Sequence, residues 1–271
     1  MLPGLTQLPV TRTGAPPTEA PRADGGPRLD DLPAELLGLV IRAIDSDNPC
    51  MAVLSLCGSN EEWKFLCNQD GFYDVVNYNL GYYGQLGTWK AMVEHYERLG
   101  REPAATPLAY FKEACKFRRS VQQAGGALYH VPAYRPDYGE IAKLAVQQAG
   151  VALYYVPKNR ADYGEIAKLA VQQAGDALYY VPKNHPDYGE IAKLAVQQPG
   201  NALYHVPTNR ADYGEIAKLA VQQRGDALYH VPTNRADYGE IAKLAVQQDG
   251  NALRHVPMLR PDYGEIAQLA V

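Results

Sequence analysis

The sequence predicts an all-α protein: a small helical module followed by an α-solenoid of 25-residue two-helix repeats. Three observations carry this. The triplet Val-Gln-Gln begins at residues 121, 146, 171, 196, 221 and 246, and Asp-Tyr-Gly-Glu-Ile-Ala begins at 137, 162, 187, 212, 237 and 262, a period of 25 with no insertion. Apolar residues inside each period recur at helical spacing. A separate helical pattern precedes the array, over residues 31–73.

Taken in chain order, residues 1–30 are rich in proline and glycine and offer little that could form a core, so they are expected to be a disordered tail. Asp31 is a candidate cap for a first helix, with Pro33 in its first turn, where a missing N–H costs nothing. Leu36, Leu37, Val40, Ile41 and Ile44 form its apolar face. Residues 45–49 read as a turn. Val53, Leu54, Leu56 and Cys57 belong to a second helix, and Trp63, Leu66 and Cys67 to a third. The helical domain is placed at residues 31–100. Residues 101–120, opened by Pro103 and Pro107, are expected to be a linker helix.

Residues 121–271 hold the repeats. In the unit from Asp162, Asp162 and Glu165 match a capping box. Ile166, Leu169, Ala170 and Gln173 recur at helical spacing, Ala167 and Val171 widen the apolar arc, and Gly175 is a candidate left-handed C′ residue. These features predict a helix of about three turns over Asp162–Ala174. Ala177, Leu178 and Val181 suit a short second helix stopped by Pro182; a strand is the competing reading, disfavoured because leucine-rich-repeat spacing is absent. Neither element can bury its apolar face alone, and stacking identical units buries both.

Composition bounds the function. The net charge of −4 gives no electrostatic reason to expect nucleic acid or an anionic membrane. The unit from Asp212 to Ala236 sums to zero charge, whereas a base-reading repeat needs a basic groove. No apolar run approaches the roughly 20 residues that span a bilayer, and Pro3, Gln7, Pro9 and Arg12 interrupt any signal-peptide core. The four cysteines (Cys50, Cys57, Cys67 and Cys115) lack CxxC spacing and are expected to be reduced thiols of a cytoplasmic or nuclear protein.

Catalytic chemistry finds no foothold. There is no Walker loop, no GxSxG and no HExxH. Acidic ladders such as Asp212 and Glu215 occur in every unit and are ascribed to capping. His130, His205, His230 and His255 share one repeat position with Tyr155 and Tyr180, but stacked helices lie about 8–10 Å apart, too far to share one zinc ion at about 2 Å. No metal, no cofactor and no enzymatic activity are expected. Arg224-Gly225-Asp226 is a repeat turn like its neighbours. A solenoid of this kind is expected to bind a protein target. The Tyr/His position ahead of each Val-Pro supplies the candidate target-binding residues: Tyr155, Tyr180, His205, His230 and His255. Tyr179, Tyr204 and Tyr229 precede three of them, and one member of each adjacent pair must face outward.

Two resemblances add to this. Glu165-Ile166, Ala170-Val171, Gly175, Ala177-Leu178 and Tyr180 resemble a family of short helical repeats of unknown function from protist and giant-virus proteins; the likeness covers just over half the chain and implies a repeat fold only. Leu32, Pro33, Glu35, Leu36, Leu37, Val40, Ile41, Ile44, Asp45, Leu56, Cys57, Trp63, Leu66, Asp70 and Tyr73 resemble an F-box in order, with Tyr73 where Trp is more usual. The stretch with Tyr83-Gly84, Thr88-Trp89-Lys90 and Tyr96 resembles the segment on the C-terminal side of an F-box in giant-virus proteins. That resemblance implies docking on a Skp-type adaptor through Leu32, Pro33, Glu35, Leu36, Leu37, Val40 and Ile41, and hence a monomeric substrate-recruiting protein of a cullin-based ubiquitin ligase. The alternative is an interaction scaffold with no ubiquitin link, whose N-terminal helices cap the solenoid.

Overall fold

The computed structural model describes residues 43, 49–59, 61–68, 89–102, 104 and 106–270. The tail over 1–30, the first helix of the N-terminal module with Leu32, Pro33, Glu35, Leu36, Leu37, Val40 and Ile41, and the stretch around Tyr73 and Tyr83 lie outside the described residues. Among the described residues there are helices and no strand.

The N-terminal part contributes α1 (Pro49–Cys57), α2 (Glu61–Leu66) and α3 (Trp89–Arg98). Val53, Cys57, Trp63, Cys67, Trp89, Met92 and Tyr96 share a core with Tyr110, Phe111, Ala114 and Cys115 of α4 (Pro107–Gln123). Thr106 caps α4, its Oγ1 accepting from the Ala109 N–H at 3.2 Å, with Pro107 in the first turn. The expected linker helix is therefore a structural layer. Its N-terminal half completes the first core, while Val121 and Phe117 near its other end pack into the core of the repeats.

The cysteines overturn the expectation of reduced thiols. Cys57 pairs with Cys67, and Cys50 with Cys115 across 65 residues of sequence. The absence of CxxC spacing was no guide, because the packing of α1 on α4 and of α1 beside α2 brings the partners together: the Cα–Cα distances are 5.5 Å and 5.9 Å.

From α4 onward, α-helices alternate with 3₁₀ helices. The α-helices are α5 (Tyr138–Gln148), α6 (Tyr163–Gln173), α7 (Tyr188–Val196), α8 (Tyr213–Gln223), α9 (Tyr238–Gln248) and α10 (Tyr263–Ala267). The second element of each unit is the expected short helix and not a strand, and it winds as a 3₁₀ helix such as Gly175–Tyr180. It spans only six residues before Val181-Pro182, and so short a piece takes the tighter winding. Each α-helix packs on the next, and each 3₁₀ helix on the next, giving a two-layer solenoid. In α6, Ile166, Ala167, Ala170 and Val171 are fully buried.

Two further expectations are corrected. Asp162 stands at the N-cap of α6 but makes no side-chain capping bond. Its carboxylate instead receives Arg160 Nε at 2.7 Å and Nη2 at 2.8 Å, a bidentate fork stronger than a single amide contact. Gly175 is not left-handed; among the described residues only Gly100 and Gly200 have positive φ. Gly175 is needed because a Cβ there would sit 2.5 Å from the Ala195 carbonyl oxygen of the next unit.

One unit departs from the rest. Elsewhere the residue closing the helix donates its N–H back one turn, as Ala174 does to the Ala170 carbonyl at 3.0 Å. Pro199 holds that place in its unit and has no N–H. The helix α7 accordingly stops at Val196, and Gly200 takes φ 128°.

Candidate binding surface

The 3₁₀ helices set the geometry. With three residues per turn, adjacent side chains point about 120° apart. Leu178 and Val181, three residues apart, both face the core. Tyr179 then points to solvent at 64% exposure, and Tyr180 is half-buried to one side. Repetition generates two rows. The outer row is Tyr129, Tyr154, Tyr179, Tyr204 and Tyr229, all strongly exposed. The inner row is His130, Tyr155, Tyr180, His205, His230 and His255.

The rows interlock edge to face. Within a unit, Tyr154 lies 5.1 Å from Tyr155 and Tyr204 lies 5.3 Å from His205. Across units, Tyr154 meets Tyr180 at 5.7 Å, Tyr179 meets His205 at 5.4 Å, Tyr204 meets His230 at 5.6 Å and Tyr229 meets His255 at 5.5 Å. T-shaped contacts at these separations favour a fixed ring arrangement. The result is one aromatic ladder running from Tyr129 to His255. Arg254 replaces the tyrosine in the last unit, and its Nε donates to His255 Nε2 at 3.1 Å.

The ladder's backbone is fastened from below. The buried tyrosine that opens each of α5 to α9 donates its hydroxyl to an inner-row carbonyl of the next 3₁₀ helix: Tyr138 to Tyr155 at 3.1 Å, Tyr163 to Tyr180 at 3.2 Å, Tyr188 to His205 at 3.0 Å, Tyr213 to His230 at 3.1 Å and Tyr238 to His255 at 3.0 Å. Burial pushes the Tyr138, Tyr188 and Tyr213 phenols up to about 12. The same rings carry the guanidinium of the following unit: Arg210 lies 4.7 Å from the Tyr188 ring centroid and Arg235 lies 4.6 Å from that of Tyr213. Hydrogen bonds from Arg235 hold the Asp237 carboxyl below its ordinary range. Along the α-helices, Lys193 reaches Glu215 at 3.0 Å and Lys218 reaches Glu240 at 2.6 Å. The glutamates thus serve unit-to-unit pairing, the aspartates pair with the arginine two residues before them, as Asp212 does with Arg210, and capping does not explain either ladder. Arg224 and Asp226 likewise pair with each other, at 2.7 Å.

The structure places the sequence-derived target residues Tyr155, Tyr180, His205, His230 and His255 in the inner row, less exposed than the outer tyrosines beside them. The outermost positions include Tyr129 and Tyr154, which the sequence reading did not single out. The signal was present: once Leu178 and Val181 are taken as the buried pair at i and i+3, the 3₁₀ period leaves Tyr179 outermost. Among the described residues no group of three or more His, Cys, Asp or Glu side chains is placed to hold a metal, and no helix is long and apolar enough to cross a membrane.

Burial pushes the His205 and His230 imidazoles below their ordinary value. The unfolded chain then takes up protons first, so the stability these residues contribute is complete above about pH 6.5 and declines as pH falls below it. His205→Tyr with His230→Tyr, which copies Tyr155 and Tyr180 of neighbouring units, is expected to reduce the loss of melting temperature between about pH 7 and 5. The same acid loss in variant and wild type would contradict the burial of these rings.

Comparison with protein-family models, with curated proteins and with solved structures finds no match to this chain.

Proposed function

We propose that the chain is a recruiting protein: the array captures a protein partner along its aromatic ladder, and the N-terminal module docks on a Skp-type adaptor of a ubiquitin ligase. The exposed, continuous row of tyrosines carries the first half. Monomeric proteins rarely expose contiguous apolar surface without using it, and tyrosine gives large contact area with little conformational entropy to lose. The second half is supported by the F-box-like order of residues from Leu32 to Tyr73. No catalytic role is part of this reading.

A second reading has its own observation. The Cys50–Cys115 disulfide and the core shared by α1, α3 and α4 fasten the N-terminal helices to the first layer of the array, as a solenoid cap requires. Disulfides persist in oxidising compartments, which favours a scaffold with no ubiquitin link.

One experiment separates the two. Purified chain is offered a Skp-type adaptor and the partner it captures, and co-elution is measured. Under the recruiting reading, wild type holds both. Leu36→Asp with Leu37→Asp should lose the adaptor and keep the partner, because charge enters an apolar docking groove. Tyr154→Ala with Tyr179→Ala and Tyr204→Ala should do the reverse. A wild-type chain that holds the partner and never the adaptor is the scaffold.

A further inference from the structure

The ladder has a pitch, and the pitch selects an occupant. Tyr154 lies 5.7 Å from Tyr180, which lies 5.1 Å from Tyr179, so successive outer tyrosines are no more than about 11 Å apart. One helix-to-helix stacking distance, about 8–10 Å, falls within that bound. A polyproline II strand, with three residues per turn and a rise of about 3.1 Å per residue, repeats every 9 Å or so. One such turn therefore matches one repeat of the array. A β-strand presents like-facing side chains about every 7 Å and drifts out of register.

Hydrogen bonding points the same way. The outer tyrosines Tyr154, Tyr179 and Tyr204 make no hydrogen bond among the described residues and keep a free hydroxyl donor. An α-helical partner at a two-turn repeat would fit the pitch, but its carbonyls are already bonded internally. A polyproline II strand has no internal hydrogen bonds, so its carbonyls stand free to accept.

Charge supplies the third element. Lys158 Nζ donates to the Leu153 carbonyl at 3.1 Å and the Tyr163 hydroxyl at 3.2 Å, and Lys183 Nζ to the His205 carbonyl at 2.7 Å and the Tyr188 hydroxyl at 3.1 Å, which holds both ammonium groups next to the inner row. Neither has a carboxylate partner among the described residues, unlike Lys193, Lys218 and Lys243 of the α-helical layer. Later units carry Thr208, Thr233 and Met258 at this position, so this lysine occurs in two adjacent units only.

We propose that the ladder binds an extended, proline-rich segment of a partner protein in the polyproline II conformation, with prolines seated between the outer tyrosines and an acidic side chain opposite Lys158 or Lys183. This rests on reading the ladder as the partner surface. The probe is a labelled peptide of about six Pro-Pro-Glu triplets, titrated onto the full chain by fluorescence anisotropy beside Gly-Gly-Glu and Pro-Pro-Lys peptides of the same length. The Pro-Pro-Glu peptide is expected to bind at least about tenfold more tightly than either. Tyr154→Ala with Tyr179→Ala and Tyr204→Ala should abolish binding. The corresponding Phe triple variant, which keeps the rings, should weaken it severalfold and so guards against a folding artefact. Lys158→Gln with Lys183→Gln should erase the preference for Glu over Lys. Equal affinity for the proline and glycine peptides, or binding unaffected in both tyrosine variants, overturns the proposal. If the peptides fail while partner capture is still lost in the alanine variant, the ladder reading stands and this inference alone falls. If that variant captures partner as wild type does, both fall.

Discussion

Asp137→Ala is expected to lower the unfolding free energy by about 3–5 kcal/mol, more than the same change at any other Arg–Asp pair of the array. Asp137 is fully buried and Arg135 is 3% exposed. The carboxylate accepts from Arg135 Nε at 2.8 Å and Nη2 at 3.2 Å, and from the Tyr110 hydroxyl at 3.3 Å. The guanidinium lies 4.3 Å from the Tyr110 ring centroid and 5.3 Å from that of Phe117. Burial pushes the Arg135 value down, but the Asp137 charge and hydrogen bond, together with Tyr110 and Tyr96, raise it by more, and the net shift is upward. Removing Asp137 leaves a buried cation with Glu113 as its remaining ion-pair partner. Asp237 makes the same fork to Arg235, but its side chain is 29% exposed, and water replaces the lost partner there. Asp237→Ala is expected to cost about 1 kcal/mol. Urea denaturation of the two variants side by side checks the account. Equal losses would show that the junction between the N-terminal core and the array is not the dry site described.

Gly175→Val is expected to destabilise by about 3 kcal/mol, whereas Gly126→Ala stays within roughly 0.5 kcal/mol of wild type. A Cβ at Gly175 meets the Ala195 carbonyl oxygen at 2.5 Å and the Ala202 Cβ at 3.4 Å. The first is backbone, so relief requires one unit to slide on the next, and that movement disturbs the fully buried Ile191 and Ala195. A Cβ at Gly126 meets nothing within 4 Å. Thermal melts of both proteins supply the test, and a Gly175 variant as stable as wild type would contradict the close stacking of units.

The same two sites show what the sequence could and could not reveal. The helix over Tyr163–Gln173 lies within a residue of its expected ends, because the spacing of Ile166, Ala167, Ala170 and Val171 depends only on residues inside one unit. The roles of Gly175 and Glu165 are decided by Ala195 and Lys143 of neighbouring units, which a single unit does not reveal, whereas that of Asp162 is decided by Arg160, two residues before it. Asp162 followed by Glu165 looks like a cap until Arg160 is seen beside it, with its Nη1 reaching back to the Ala133 carbonyl at 3.4 Å. Gly175 looks like a helix stop until Ala195 is seen above it. In a perfect repeat every position recurs, so periodicity cannot say whether a partner lies in the same unit or the next. The cysteines failed for a related reason: Cys50 and Cys115 meet only through tertiary packing. The aromatic ladder was half legible. The adjacent pair at Tyr179 and Tyr180 was visible, but the choice between them turned on a 3₁₀ winding that a six-residue apolar segment does not announce.

The central claim is that the outer tyrosines serve a partner and not the fold. Replacing Tyr154, Tyr179 and Tyr204 together by alanine removes three strongly exposed rings and leaves the buried Tyr163, Tyr188 and Tyr213 in place. The direct measurement is the melting temperature of this variant alongside its capture of the partner held by wild type. The account predicts a melting temperature within about 4 °C of wild type with capture reduced at least about tenfold. A large fall in melting temperature, or capture undiminished at unchanged stability, would contradict it.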